Sequence, residues 1–369
     1  MILLQILKEK LRGMPWALLA TVYILIGLGL FNLYSATSAQ VDPSKFYDQV
    51  KWTLIGTASL IFWGVFLDLK TIERLAPVLY VIVCILLLIV DYSGHTAKGS
   101  QRWLIVGPIR IQPSEIAKFV IILSTAGSFT KLKGIHEFSL FTIWKQLVLV
   151  LIPFVLILIQ PDLGTASLVL FIAGLQIAFV RIKLSSILAV LAIGGISSWT
   201  SWNFVMHDYQ KLRVLNFLNP MRDPRGAGYH SIQSMIGIGS GGTWGRGFQQ
   251  GTQAHLNFLP ERHTDFIFSV FAEEHGFVGC LVLVGLFVIL VLQVFQIAEK
   301  AKDVFPCLVA LGVAAFLLFH FSINVSMVLG VFPVVGVPLS LVSYGGSHML
   351  IALSTIGLLV AVERKRGTA

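Results

Sequence analysis

The segment Leu259-Pro-Glu-Arg-His-Thr-Asp-Phe-Ile-Phe268 decides the fold, because a polar stretch becomes an apolar one inside it. It closes the stretch 206–265, which is rich in Arg, Gly and His and lies between two long apolar segments. The ionisable residues at this junction are Glu261, Arg262, His263 and Asp265. We therefore expect charged chemistry at the surface of a membrane, where polar loop gives way to lipid-compatible helix.

The composition places the whole chain in the membrane class. Of 369 residues, 56% are hydrophobic and 12% are charged, and the mean hydropathy is +0.83. A soluble globular domain carries about 25% charged residues. The composition therefore excludes an ordinary soluble protein and predicts an integral membrane protein.

Apolar windows of membrane-spanning length recur along the chain. A helix needs roughly 17 to 25 such residues to cross about 30 Å of hydrocarbon. The windows lie near residues 15–36, 50–68, 75–92, 113–130, 144–160, 163–181, 184–205, 265–298, 304–328 and 338–362. The sequence therefore predicts an all-α bundle of about ten transmembrane helices. It forms a single domain over residues 1–369, with a large loop, 206–264, between helices 7 and 8.

Two glycine features bear on this bundle. The window 265–298 is too long for one simple crossing, so we expect it to tilt or kink, with Gly276 and Gly279 as candidate bend points. The segment 237–247 is rich in glycine but lacks the Gly-Lys-Ser/Thr ending of a nucleotide-binding loop. It fits a loop that turns tightly or lets its backbone approach a substrate.

The distribution of Lys and Arg predicts the orientation of the bundle. With a cytoplasmic N-terminus, the inner side collects 15 of the 27 basic residues. They are Lys8, Lys10, Arg12, Lys70, Arg74, Lys131, Lys133, Lys145, Arg181, Lys183, Lys300, Lys302, Arg364, Lys365 and Arg366. Because short cytoplasmic loops carry an excess of positive charge, both termini are expected inside and the loop 206–264 outside.

The outer loop is itself net positive. It carries Lys211, Arg213, Arg222, Arg225, Arg246 and Arg262 against Asp208, Asp223 and Glu261. Either an anionic ligand or anionic lipid headgroups would account for this charge.

Glu115 and Lys118 stand near the start of the fourth window, three residues apart, and so share one face of a helix. Ionised groups at mid-membrane cost about 2.5–3.5 kcal/mol each on insertion scales, so they should face the bundle interior or water. One interpretation is a mutual structural ion pair. The other is a polar cavity in which Lys118 meets a phosphate and Glu115 orients it.

Three further polar residues are candidate substrate contacts. Asp162 follows Pro161 in a polar break, where it either caps the next helix or contacts substrate. Arg102 lies in the smaller outer loop, 91–112, and either neutralises headgroups or helps to clamp a pyrophosphate. Ser343 precedes the last helix in a segment whose glycines fit helix packing.

Asp265 is the strongest individual candidate. A carboxylate at the boundary of water and lipid can accept a proton from a sugar hydroxyl, although helix capping is a rival role. His263, two residues earlier, is either a hydrogen-bonded interface residue or a substrate contact. We therefore predict Asp265 as a general base.

At this point the residues resemble the SEDS family of shape, elongation, division and sporulation proteins. The shared motifs are Leu-Pro-Glu-Arg-His-Thr-Asp-Phe-Ile-Phe at 259–268, Ala-Glu-Glu at 272–274, Gln-Pro-Ser-Glu-Ile-Ala-Lys at 112–118, Gln-Pro-Asp-Leu-Gly-Thr at 160–165, Phe-Leu-Asn-Pro at 217–220 and Ser-Tyr-Gly-Gly-Ser at 343–347. The resemblance spans nearly the whole chain. Gln-Arg-Trp at 101–103 and Glu-Arg-His at 261–263 are more similar to the elongation branch than to the division branch.

The resemblance implies a ten-helix, GT-C-like polymerase of peptidoglycan glycan strands. Its substrate would be lipid II, and its partner a class B penicillin-binding protein that crosslinks the strands within the elongation machinery. The family's essential aspartate falls on Asp265, its membrane glutamate and lysine on Glu115 and Lys118, and an arginine on Arg213. His348 departs from the pattern, since the family often has a small residue there.

The implied reaction is inverting transfer with release of undecaprenyl pyrophosphate in the bacterial inner membrane. Arg102, Lys118, Arg213 or a divalent cation, Mg2+ or Mn2+, would hold the departing charge. Two alternatives stay open from the residues: a lipid II flippase or transporter, which also needs buried ionisable groups, and a non-catalytic scaffold of the elongation machinery.

Overall fold

The computed structural model shows a bundle of membrane-length helices in the region that it describes. It describes residues 13–38, 44–93, 95–97, 100–106, 109–130, 132, 137–180, 182–206, 208, 211, 212, 215, 217, 228–252 and 261–367. The helices are α1 Trp16–Ser38, α2 Ser44–Ile61, α3 Leu69–Ser93, α4 Pro113–Phe129, α5 Trp144–Ile159, α6 Leu163–Ala178, α7 Leu184–Thr200, α8 Tyr229–Gly241, α9 Ile267–Glu299, α10 Val304–Val328 and α11 Gly346–Gly367. Short π-helical turns, Phe62–Phe66 and Ser201–Val205, extend α2 and α7.

Each of the predicted apolar windows overlaps one of these helices, and the predicted all-α membrane class is confirmed. Within the described residues, six helices are long and apolar enough to cross a membrane: those containing α1, α3, α7, α9, α10 and α11. Helices α5 and α6 are shorter apolar helices. Helix α8 belongs to the large polar loop.

The core of the bundle lies around α4, α10 and α11. Most residues of α10, apolar and polar, are buried, and α4, α6 and α9 are its main neighbours. Helices α3 and α7 and the second half of α9 instead expose apolar side chains such as Val81, Leu188 and Leu281. In a membrane protein these exposed apolar faces are solvated by lipid.

Helix α9 contains the predicted kink. Gly276 has φ 65° and ψ −164°, which breaks the helix into two parts. The turn after α8 fills the break with backbone hydrogen bonds, in which Phe277 N donates to Gly242 O at 2.9 Å and Arg246 N donates to Glu273 O at 3.0 Å. A Cβ on Gly245 would lie 2.1 Å from Glu274 O. The glycine-rich segment is therefore a close-packing element, and Gly276 is confirmed as the bend.

The smaller loop contains a sheet that the hydrophobic pattern did not predict. Three antiparallel strands, β1 His95–Ala97, β2 Ser100–Val106 and β3 Ile109–Ile111, lie in the order β1-β2-β3 between α3 and α4. Leu104 pairs with Ile111, and Ile105 pairs with Arg110. The sheet carries Arg102 and leads directly into the first turn of α4.

Candidate functional site

The connecting segment, residues 333–339, joins the end of α10 to the turn before α11 and has no regular secondary structure. Backbone outside helices and strands leaves its carbonyl groups available to neighbouring side chains. Side chains from α10 and the turn before α11 bind this segment, and Asp265 and α6 contact it. It therefore forms the centre of the candidate site.

Asp265 lies in the turn that precedes α9. Thr264 N and Phe266 N both donate to Glu261 O, at 3.2 and 3.3 Å, and the Asp265 side chain is half-buried. Its Oδ2 atom faces Gly336, where an added Cβ would lie 3.4 Å away. Gly336 has φ 73°, in the left-handed region that favours glycine. The carboxyl group therefore rests against the backbone of the connecting segment.

Asn324 fixes the backbone on one side of Asp265. Its buried side-chain amide donates to Asp265 O at 2.8 Å and to Val337 O at 2.7 Å. One side chain of α10 thus ties the turn before α9 to the connecting segment. Because the amide binds main-chain oxygens, it sets the position of Asp265 without occupying its carboxyl group.

Ser343 fixes the backbone on the other side. Its hydroxyl donates to Thr264 O at 2.7 Å and accepts from Leu339 N at 2.8 Å, and the side chain is buried. Gln49 of α2 holds the same turn, since its amide donates to Ser343 O and accepts from Gly345 N. Ser343, predicted as a substrate contact, therefore serves here to position the residue before Asp265.

His263 and Arg262 have different surroundings. His263 is half-buried, its ring lies 5.7 Å from the Tyr344 ring, and its carbonyl accepts from Tyr344 N. Burial, followed by the charge of Asp48, raises the pKa of Tyr344. Arg262 is buried and donates to Ala36 O at the end of α1; burial lowers its pKa. Of the two, His263 is the more accessible.

Glu115 and Lys118 form the predicted ion pair. Lys118 Nζ lies 2.5 Å from Glu115 Oε1, and both side chains are buried, Lys118 with 1% exposure. The ammonium group also lies 3.4 Å from His320 Nε2 and 5.6 Å from the centre of the Phe316 ring. The two side chains are thus paired with each other in this structure, as one of the two interpretations expects. In this arrangement Lys118 is enclosed, so its contact with a phosphate stays a prediction.

Two histidines extend the ion pair towards the connecting segment. His348 Nδ1 lies 3.1 Å from Glu115 Oε2, and its Nε2 lies 3.1 Å from Ser340 Oγ. His320 Nδ1 lies 2.9 Å from Pro338 O. The unusual residue at position 348 is thus part of the buried polar network.

Arg102 and Asp162 meet at the connection between α5 and α6. Asp162 Oδ1 accepts from Thr165 N at 3.2 Å, which confirms it as the cap of α6. Arg102 Nε donates to Gln160 O at 3.1 Å, a terminal nitrogen donates to Pro161 O, and its other nitrogen lies 3.7 Å from Asp162. Both residues hold a turn in this structure, and their binding of substrate stays a prediction.

The turn at Asp162 also borders the connecting segment. A Cβ on Gly164, in the first turn of α6, would lie 3.2 Å from Val335 O and from the Val337 side chain. The structure therefore brings Asp265, Ser343 and the turn at Asp162 to one short stretch of backbone. The Glu115–Lys118 pair is linked to the same stretch by His320 and His348. Arg213 lies outside the described residues.

Comparison with known proteins identifies the family. The model of the family described as "Cell cycle protein" (FtsW, RodA, SpoVE) matches residues 16–368. The chain belongs to the FtsW/RodA/SpoVE family. The resemblance to SEDS proteins is thereby confirmed.

Curated relatives in this family carry enzyme names. The peptidoglycan glycosyltransferase MrdB of Escherichia coli (strain K12) is 43% identical over 304 residues, which cover 80% of each chain. The peptidoglycan glycosyltransferase RodA of Treponema pallidum (strain Nichols) is 31% identical over 97% of this chain and 100% of its own length. The probable peptidoglycan glycosyltransferase FtsW of Trichlorobacter lovleyi is 33% identical, over 98% and 96%.

Solved structures show the same FtsW/RodA/SpoVE fold. One match is a chain of the structure described as "Structural coordination of polymerization and crosslinking by a peptidoglycan synthase complex". Its TM-score is 0.82 and its sequence identity is 32%, and the match covers 96% of this chain and 98% of that one. Thermus thermophilus rod shape determining protein RodA gives a TM-score of 0.71 and 28% identity, covering 96% and 97%.

Several residues of this site were not predicted from the sequence. Asn324 and His320 stand in a long apolar run, and an intramembrane polar residue is itself a signal of function. Gln49 and Gly336 gave no such signal, because their roles depend on partners far along the chain. Within the described residues, no three His, Cys, Asp or Glu side chains form a group able to hold a metal ion. We assign no step to the Mg2+ or Mn2+ that the resemblance left open.

Proposed function

We propose that this chain is a peptidoglycan glycosyltransferase of the elongation branch, which extends glycan strands from lipid II. The names of its curated relatives support the activity class. The observation that carries the proposal is the half-buried Asp265 carboxyl, set against Gly336 while Asn324 and Ser343 hold the backbone on either side. A base held in this way can act without reorganising during the reaction.

In the proposed reaction Asp265 removes the proton from the 4-hydroxyl of the acceptor GlcNAc on lipid II. The resulting oxygen nucleophile attacks the anomeric carbon of the MurNAc at the end of the lipid-linked strand. The bond from that carbon to the pyrophosphate oxygen breaks with inversion, and undecaprenyl pyrophosphate leaves with the bonding electron pair. General base catalysis of this kind contributes about 10²- to 10⁴-fold in rate.

The leaving diphosphate needs positive charge near the site. Arg102 supports this role, because its side chain is 27% exposed next to the Asp162 turn, whereas Lys118 is enclosed. We assign the diphosphate to Arg102, together with Arg213, and give the accessible His263 a contact to the sugar. The remaining candidates position the backbone around the substrate: Glu115, Lys118, Asp162 and Ser343.

The proposed setting is the bacterial cytoplasmic membrane, with both termini in the cytoplasm and residues 206–264 outside. The Lys and Arg distribution supports this orientation, and we treat the chain as one polytopic domain. The proposed partner is a class B penicillin-binding protein that crosslinks the new strands. Similarity to a chain of a peptidoglycan synthase complex supports this pairing.

The test is polymerisation of fluorescent lipid II by the purified chain in proteoliposomes, with and without the partner. We expect Asp265→Asn to lower the rate by at least about 10²-fold. The control is Asp303→Asn, which removes an exposed carboxylate that pairs with Lys365 and lies outside the site. Full activity of Asp265→Asn would remove the base assignment. Lipid translocation without glycan product would instead establish a flippase.

A further inference from the structure

The helix α10 presents two polar side chains to two successive carbonyl groups of the connecting segment. His320 and Asn324 are four residues apart and therefore share one face of the helix. His320 binds Pro338 O at 2.9 Å, and Asn324 binds Val337 O at 2.7 Å. The next residue in this direction along the segment is Gly336, which faces Asp265 Oδ2. These contacts hold the segment in register immediately next to the carboxyl group.

A second attachment lies just beyond the segment, at Ser340. Ser340 Oγ lies 3.1 Å from His348 Nε2, and the other ring nitrogen of His348 lies 3.1 Å from Glu115. Because His348 belongs to α11 and Glu115 to α4, this chain of contacts links two core helices to the segment. Both histidines are buried, at 1% and 5% exposure.

Hydrogen-bonding roles in this network follow from the partners. A carbonyl oxygen can only accept, so His320 Nδ1 carries the proton towards Pro338, and its Nε2 accepts from the Lys118 ammonium. The Glu115 carboxylate accepts from His348 Nδ1. The Ser340 hydroxyl can donate or accept, so it can pair with His348 Nε2 in either protonation state. The His320 ring is then neutral, and the charge of Lys118 is balanced by Glu115. Each group in the chain has a partner of the correct type.

We propose that His320 and His348 are positioning residues for the transfer reaction, which fix residues 336–340 and thereby the seat of the Asp265 carboxyl group. This inference rests on the proposed function. A buried ion pair is often no more stabilising than apolar residues of similar volume. Here the pair orients two imidazole rings towards defined points of the backbone. A misplacement of about 1 Å near the reacting atoms costs on the order of 10²-fold in rate.

The experiment compares kcat and KM for fluorescent lipid II in proteoliposomes that contain the chain and its transpeptidase partner. We expect His348→Ala and Ser340→Ala each to lower kcat by about 10- to 10²-fold. KM should change little, because neither side chain touches the substrate. The double variant should lose no more than either single variant, because both remove the same attachment. His348→Gln should recover much of the rate, since its amide reaches towards Ser340, whereas His348→Asn should not.

The matched control is the hydrogen-bonded pair Ser59 and Ser354, 2.7 Å apart, which joins α2 to the same helix α11. Ser59→Ala and Ser354→Ala should leave kcat unchanged. His320→Phe tests the first attachment, at Pro338, and should also lower kcat. Size-exclusion chromatography checks that each variant is folded. Equal kcat losses in the control pair, or wild-type kcat in His348→Ala, would overturn the positioning role. An inactive wild-type protein would overturn the proposed function itself.

Discussion

Replacing Gly336 with Ala tests the geometry of the site most directly. The new methyl group would lie 3.4 Å from Asp265 Oδ2, which is ordinary van der Waals contact. Steric overlap is therefore small. The main perturbation is conformational, because Gly336 has φ 73° and an L residue is strained there.

The magnitudes separate stability from activity. An L residue in the left-handed region costs roughly 1–2 kcal/mol. The smaller conformational freedom of Ala in the unfolded chain offsets about 0.4–1 kcal/mol of this cost. The net loss of stability is then on the order of 1 kcal/mol. If the segment shifts by about 1 Å to relieve the strain, the rate falls by about 10²-fold, which corresponds to about 2.7 kcal/mol in the barrier.

The assay measures the initial rate of polymerisation from fluorescent lipid II, together with the thermal unfolding midpoint of each variant. The control is Gly330→Ala, since Gly330 has the same φ of 73° but faces the flexible Met235 side chain. We expect both variants to lose similar stability and only Gly336→Ala to lose activity. Full activity of Gly336→Ala, or an equal loss of activity in Gly330→Ala, would refute the reasoning.

Two further predictions concern the packing around the site. Lys118→Met leaves the buried Glu115 without its cation and should destabilise the protein by about 3–5 kcal/mol. Adding Glu115→Gln should restore most of this loss in denaturant unfolding, and no recovery in the double variant would contradict the pairing. Gly245→Ala places a Cβ 2.1 Å from Glu274 O, whereas the Cβ of Gly242→Ala meets nothing within 4 Å. The first variant should therefore lower the unfolding temperature far more than the second. Equal shifts would show that the contact between this turn and α9 does not depend on close packing.

The sequence was informative where the signal is local. Apolar windows located the helices, because the length of hydrocarbon to be crossed is fixed. Gly276 was identified as a bend since the window around it was too long, and Asp162 as a cap since it begins an apolar run. The Glu115–Lys118 pair followed from a spacing of three residues on one helix face.

Contacts between residues that lie far apart in the chain could not be predicted from the sequence. His348 and Glu115 are 233 residues apart, and Lys118 and His320 are 202 apart, so no window contains either pair. The strands around Arg102 were missed for a related reason. They are short, and their stability comes from pairing with each other and from the adjoining helices rather than from an alternating pattern of their own.

Contacts to its own backbone and to the connecting segment hold Asp265 in place. Ser343 binds the carbonyl oxygen of the residue before it, Thr264, and Asn324 binds the carbonyl oxygen of Asp265 itself. Gly336 supplies a surface without a side chain against the carboxyl group. The position of the carboxyl group is thereby controlled through the backbone. Replacing Asn324 with Asp would therefore test this logic: it removes the amide donor from Asp265 O and adds a like charge, so it should lower kcat even though every atom of Asp265 remains.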